Sequence, residues 1–220
     1  MAKRGFLIGD YDTAAEKWTL TAWALSDPQA ATNLVDVPGR RKGPLDLSTA
    51  LTDGDPVYGS RTLTASFECS EGTRLEREDK ISDMVNALDG WRLNIVLPDD
   101  PYRYITGRVS VARKYNDLAH ASVSVTATCE PWRYNATETA VVLTATATAR
   151  TATLLNRGRL AVVPLLTVAG GEVKLVYGAH SWALSPGTYA LPDLLLAHGE
   201  SVVTYSGAGT MTITYREAVL

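Results

Sequence analysis

The chain has 220 residues, with 21 Lys and Arg against 24 Asp and Glu, 45% hydrophobic and 20% charged residues; that is room for one large or two small domains with a real core, and it excludes a disordered chain. No apolar run approaches the ~18 residues that a membrane-crossing helix needs, and the slight acidity excludes a general nucleic-acid binder, which carries a basic excess to neutralise phosphates. Between Met1 and Asp10 the apolar run is only Phe6-Leu7-Ile8 behind one basic pair, so no secretory signal is read and folding in a cytoplasm is expected. Cys69 and Cys129 are too few for a disulfide framework, and each ends an alternating apolar run, which predicts two buried thiols.

Trp18 and Trp23 come first. They lie an odd number of residues apart, so in one regular strand they face opposite sides, leaving one ring for a second layer or a second subunit. Pro38-Gly39-Arg40-Arg41-Lys42-Gly43-Pro44 follows, basic and bracketed by glycine. It lacks the strand-to-helix setting and the Gly-Lys-Ser/Thr end of a phosphate loop, and reads as an exposed loop whose Arg40, Arg41 and Lys42 are available to DNA, a neighbour or solvent.

Thr62–Cys69 alternates apolar and polar residues, as Val109, Val111, Val123, Val125 and Ala127 do later, the pattern of half-buried antiparallel strands. Thr73-Arg74-Leu75-Glu76 matches a capping box, Ile81, Met84, Val85 and Leu88 share one narrow helical arc, and Gly90 supplies a left-handed stop. This spacing predicts one helix over about 74–89, with Leu75 off the stripe and Glu76, Arg77, Asp79, Lys80 and Asp83 solvated. Pro98-Asp99-Asp100-Pro101 holds two carboxylates of the kind that cleave glycosides, yet reads more simply as a turn. Asn116-Asp117, between 108–115 and 118–129, predicts a hairpin.

Composition changes after Tyr134, which divides the chain into domains 1–134 and 135–220. The run 140–149 alternates small apolar residues with Thr and reads as a linker or a first strand. Six or more short strands follow between turn signals, over 162–168, 173–177, 182–184, 189–191, 202–205 and 211–215, with 194–196 in a single turn. The class expected is mainly β: an N-terminal β-sandwich-like domain with one helix, then a C-terminal β-sandwich or jelly roll.

Chemistry is sparse in this pattern. His120, His180 and His198 have no metal-ligand spacing on one element, so no metal, cofactor or catalytic residue is assigned and the chain reads as no enzyme. Five Trp and ten Tyr against two Phe raise carbohydrate binding, with Tyr177, Trp182 and Tyr189 as the candidate rings of the second domain; the same residues also fill β cores and interfaces.

Several segments together resemble the distal tail (Dit) protein family of long-tailed bacteriophages. They are 37–46 around the Pro-Gly loop, Tyr58-Gly59-Ser60-Arg61 leading through 62–67 toward the helix, Tyr102-Arg103-Tyr104-Ile105-Thr106-Gly107-Arg108-Val109, the hairpin end Cys129-Glu130-Pro131-Trp132, Asn156-Arg157-Gly158, and the closing 209–217. The chain departs from the family pattern after Gly39, where Arg41-Lys42 stand in place of a single acidic or polar residue. The resemblance implies a structural virion protein of the tail tip, assembled in a host cytoplasm. Its N-terminal domain would form a homo-hexameric ring between the tail-tube protein and the tail-associated (Tal-like) and receptor-binding proteins. A galectin-like C-terminal domain would project outward, DNA would pass the lumen without specific binding, and no membrane is involved. A tail-tube subunit is the nearest structural rival.

Overall fold

A computed structural model describes residues 5–38, 43–52 and 54–220. The chain divides into two compact units, Met1–Pro131 and Trp132–Leu220, with the division inside one long strand, a few residues before the composition change.

The first unit contains β1 (Leu7–Ile8), β2 (Tyr11–Asp12), β3 (Thr19–Leu25), β4 (Leu34–Val35), β5 (Leu45–Asp46), β6 (Arg61–Cys69), α1 (Arg74–Leu88), β7 (Arg92–Leu97), β8 (Asp100–Asn116) and most of β9 (Ala121–Asn135). Its main sheet runs in the order β2-β1-β7-β8-β9-β6-β3, and β4 and β5 form a separate ribbon. The alternation in β6 is obeyed: Leu63, Ala65, Phe67 and Cys69 are buried, and Thr62 and Thr64 face outward. Ile81, Met84 and Leu88 of α1 close over that face beside Ile95, Ile105, Val123 and Val125. Each large side chain so buried contributes about 1.5–3 kcal/mol, which is how one narrow helical stripe is held against a sheet.

The helix begins as its capping box dictates. Thr73 N–H donates to a Glu76 carboxylate oxygen at 2.6 Å, and Glu76 N–H donates to Thr73 Oγ1 at 3.3 Å. At the far end Asp89 is already extended, and Gly90, at φ +78°, makes the left-handed turn and donates its N–H to Val109 O. Leu75 is exposed as expected.

Three local expectations are corrected. Arg77 is not solvated but 2% exposed, because its guanidinium ties the helix start to the next hairpin. That hairpin does not turn on Asn116-Asp117: β8 runs through Asn116, and the loop is 117–120, closed by the Asp117 carboxylate accepting from the N–H groups of Ala119 and His120 at 2.8 Å each. Trp18 and Trp23 do not face opposite sides. Trp18 is buried in the core and Trp23 packs against it, because the β3–β6 register slips between Leu20 and Ala22; such a bulge adds one residue and restores the parity.

The second unit begins at the end of β9 and continues through β10 (Thr139–Thr144), β11 (Arg150–Asn156), β12 (Leu165–Ala169), β13 (Val173–Tyr177), β14 (His180–Leu184), β15 (Gly187–Ala190), β16 (Gly199–Gly207), β17 (Thr210–Tyr215) and β18 (Ala218–Val219). Two four-stranded sheets, β10-β17-β12-β15 and β11-β16-β13-β14, form an eight-stranded jelly roll. Leu154, Leu166, Leu175, Val203, Met211 and Ile213 fill the space between them, each fully buried. The Thr-Ala run thus begins as strand β10 rather than as a linker. A left-handed Gly178, at φ +56°, lets β13 return as β14 in two residues. β18 pairs with the end of β9, Ala218 opposite Tyr134 and Val219 opposite Arg133. The mainly β class, a helix-bearing unit followed by a sandwich, is the fold observed.

Candidate functional site

The candidate residues do not converge. Arg40, Arg41 and Lys42 lie outside the described residues. Tyr177 and Trp182 stand on the β11-β16-β13-β14 sheet and Tyr189 on the other, and all three are half-buried against the jelly-roll core. The Tyr177 hydroxyl donates to Leu195 O at 3.0 Å and that of Tyr189 to Ser185 O at 2.8 Å, so both polar tips are engaged. Trp182 stacks with His180, ring centroids 5.7 Å apart at 9°, and His180 Nδ1 lies 3.8 Å from an Asp193 carboxylate oxygen.

The acid and metal candidates fare similarly. Asp99 is exposed in the β7–β8 turn, and Asp100 pairs with Arg103 at 3.2 Å, so the pair serves the turn. His120 sits edge-on to Tyr115, while His198 Nδ1 contacts Gly158 O at 2.9 Å. Among the described residues, no group of three or more His, Cys, Asp or Glu is placed to hold a metal ion. A cleft of about 390 Å³ in the first unit is lined by Arg92, Arg108, Cys129 and Glu130 among others. Its cations are engaged: Arg92 pairs with Glu130, and Arg108 Nη1 donates to Gly90 O at 2.5 Å. Burial pushes the Cys129 thiol up to about 11, leaving no thiolate nucleophile near neutral pH.

Sequence patterning missed the residues that bind distant segments together. Arg77 donates to Gly72 O at 2.6 Å, Asp117 O at 2.8 Å and Leu118 O at 3.2 Å. In the second unit Arg216 donates to Asn135 O and Ala136 O at 2.5 and 2.6 Å, and Glu217 accepts from Arg157 N–H and Asn135 Nδ2, both at 3.2 Å. Two signals were available: Arg77 falls at helical spacing from Ile81, Met84 and Leu88, and Arg216 and Glu217 lie in the closing segment that carries part of the family resemblance.

A helix-bearing antiparallel β unit followed in the same chain by a jelly roll defines a two-unit, mainly β protein. That architecture is Dit-like: the chain is similar to the crystal structure of phage SPP1 Dit (gp 19.1), with a TM-score of 0.67 over 96% of this chain and 98% of that one, at 14% identity. The SPP1 protein is described as a paradigm of the hub adsorption apparatus in phages infecting Gram-positive bacteria. No protein-family model and no curated protein matches the chain.

Proposed function

We propose that this chain is a distal tail protein: a structural subunit of the tail tip of a phage or a prophage-derived particle. Six copies close into a ring that joins the tail tube to Tal-like and receptor-binding proteins and leaves a lumen for DNA. The observation that carries this reading is the match of both units, in order, to one Dit structure over 96% of the chain. The motifs of 37–46, 102–109 and 209–217 support it independently from the sequence. A ring of like copies needs a heterologous interface of the obligate class, roughly 2,000 Å² or more.

Native mass spectrometry of the full-length protein across a concentration series tests the ring. Six-copy species, or three- and six-copy species in exchange, are expected, with annular particles in negative stain. One-copy species at every concentration, with no annuli, would overturn self-assembly into a hub. Within this proposal Arg40, Arg41 and Lys42 serve the lumen or an interface, so charge reversal at these three changes DNA ejection or ring formation. Glycan binding through Tyr177, Trp182 and Tyr189 has less support, because the rings pack inward and both tyrosine hydroxyls are engaged by backbone carbonyls.

A further inference from the structure

Beside the C-terminal half of α1 the first unit holds a cleft of about 370 Å³, lined by Ile8, Gly9, Asp10, Tyr11, Ala87 and Leu93. The β1–β2 turn forms one wall. On the other, Ala87 continues a helical row with Glu76, Lys80 and Asp83, residues that share one side of a helix by their spacing. The Tyr11 ring is fixed by Trp18 Nε1, which donates to its hydroxyl at 3.0 Å. Three exposed carboxylates edge this lining. Asp10 is part of it, and Glu16 and Asp83 act through space on the Tyr11 hydroxyl, which burial above all, and then these charges, pushes up to about 12 against the Trp18 hydrogen bond. Among the described residues none of the three pairs with a cation: Lys17 is taken by Glu71 at 3.1 Å, and Lys80, one turn before Asp83, turns its Nζ to Cys69 Sγ at 3.9 Å. An apolar floor under an unpaired acidic rim selects a ligand with an apolar side chain and basic neighbours.

We infer that this cleft receives Val37-Pro38-Gly39-Arg40-Arg41-Lys42 of a second copy, with Val37 on its floor and the basic run against Asp10, Glu16 and Asp83. Charge chooses the occupant. Arg40, Arg41 and Lys42 are adjacent, and no carboxylate stands between Asp36 and Asp46. The basic residues beside the exposed rings of Trp91 and Tyr102 are already used, Arg92 by Glu130 and Arg103 by Asp100. The run also belongs to an excursion without a core of its own: no described residue from 26 to 60 is buried. A segment ordered at that entropic cost gains its apolar contacts from a neighbour. Val37 is 43% exposed and takes no part in lining the cleft, so a chain does not fill its own. Cleft and basic run are different surfaces, which makes the contact head-to-tail, each copy giving one of each, and such a contact repeats until a ring closes. It rests on the ring proposed above for the number of copies alone.

Charge exchange in the full-length protein tests the contact. Asp10→Lys/Asp83→Lys and Arg40→Glu/Arg41→Glu are made as separate chains, each first checked for a native β spectrum and melt. Native mass spectrometry is expected to show that each alone loses the assembly of the wild type, and that an equal mixture regains it with the two chains alternating, because each basic or acidic run then meets a cleft of opposite charge. A synthetic peptide of residues 34–44 reads the cleft without the ring. It should bind the Arg40→Glu/Arg41→Glu chain, whose cleft is vacant, at least tenfold more tightly than the Asp10→Lys/Asp83→Lys chain, and lose that preference in high salt. Equal peptide affinity for the two chains, assembly that survives either reversal, or a mixture that stays dissociated where the wild type assembles, would overturn the inference. Peptide preference without assembly of the wild type would support the pairing of run and cleft and overturn the ring alone.

Discussion

Arg77 shows how much one side chain decides in a fold built from weak local signals. Four residues before Ile81 and seven before Met84, it falls on the apolar face of the helix, and it is accommodated there because its fork meets three backbone carbonyls at once, one before the helix and two in the 117–120 loop. A lysine offers a single point charge on a flexible stem and cannot satisfy that geometry. Arg77→Ala should therefore cost about 3 kcal/mol, since it strands buried acceptors as well as removing charge-assisted bonds, and Arg77→Lys should recover only part of that loss. The midpoints of urea denaturation for the two variants measure this directly. A midpoint unchanged in Arg77→Ala would mean that the carbonyls find water instead.

Elements in this chain end where side chains cap backbone groups, and those caps titrate. Glu76 is held below the usual carboxylate range by the Thr73 N–H, and Asp117 by the N–H groups of His120 and Ala119. A carboxyl depressed in the folded state contributes stability above its ordinary range near pH ~4 and loses it as the pH falls through the folded value. The melting temperature should therefore fall between about pH 5 and pH 3, and fall less steeply in a Glu76→Gln/Asp117→Asn double variant. At neutral pH, Thr73→Ala alone should cost about 1 kcal/mol through the lost cap. Thermal melts across that range separate the two effects. The β3 bulge belongs to the same scale: period-two reasoning assumes a regular strand, and one slipped position beside Thr21 brings both tryptophans to one core.

Across the whole molecule the two thiols are kept apart by sheet register. Cys69 lies opposite Ala121 and Cys129 opposite Arg61, at the two ends of the β6–β9 ladder, which at ~3.3 Å per residue separates them by about 26 Å, far beyond the ~7 Å limit between Cα atoms for a disulfide. Both are buried and free. Ellman's reagent should find neither thiol in the native protein and both in denaturant, and mild oxidation of the native wild type should leave no internal bridge. A native thiol reacting at the denatured rate would contradict the packing of that end of the sheet.

Alternation, capping and turn chemistry are local, and so the amino-acid order alone determined the mainly β class, a helix over about 74–89 with its buried stripe, which ends one residue earlier in the structure, the run of short strands after Leu160, and, through scattered motifs, the likeness to distal tail proteins. Partners distant in the chain are invisible to such rules. The carbonyl partners of Arg77 in the 117–120 loop, the bulge that reunites Trp18 with Trp23, and the inward packing of Tyr177 and Tyr189 each depend on segments brought together from far along the chain. Only the tertiary structure decided those, because strand order in a jelly roll is set by how two whole sheets bury their faces and not by any one strand's own pattern.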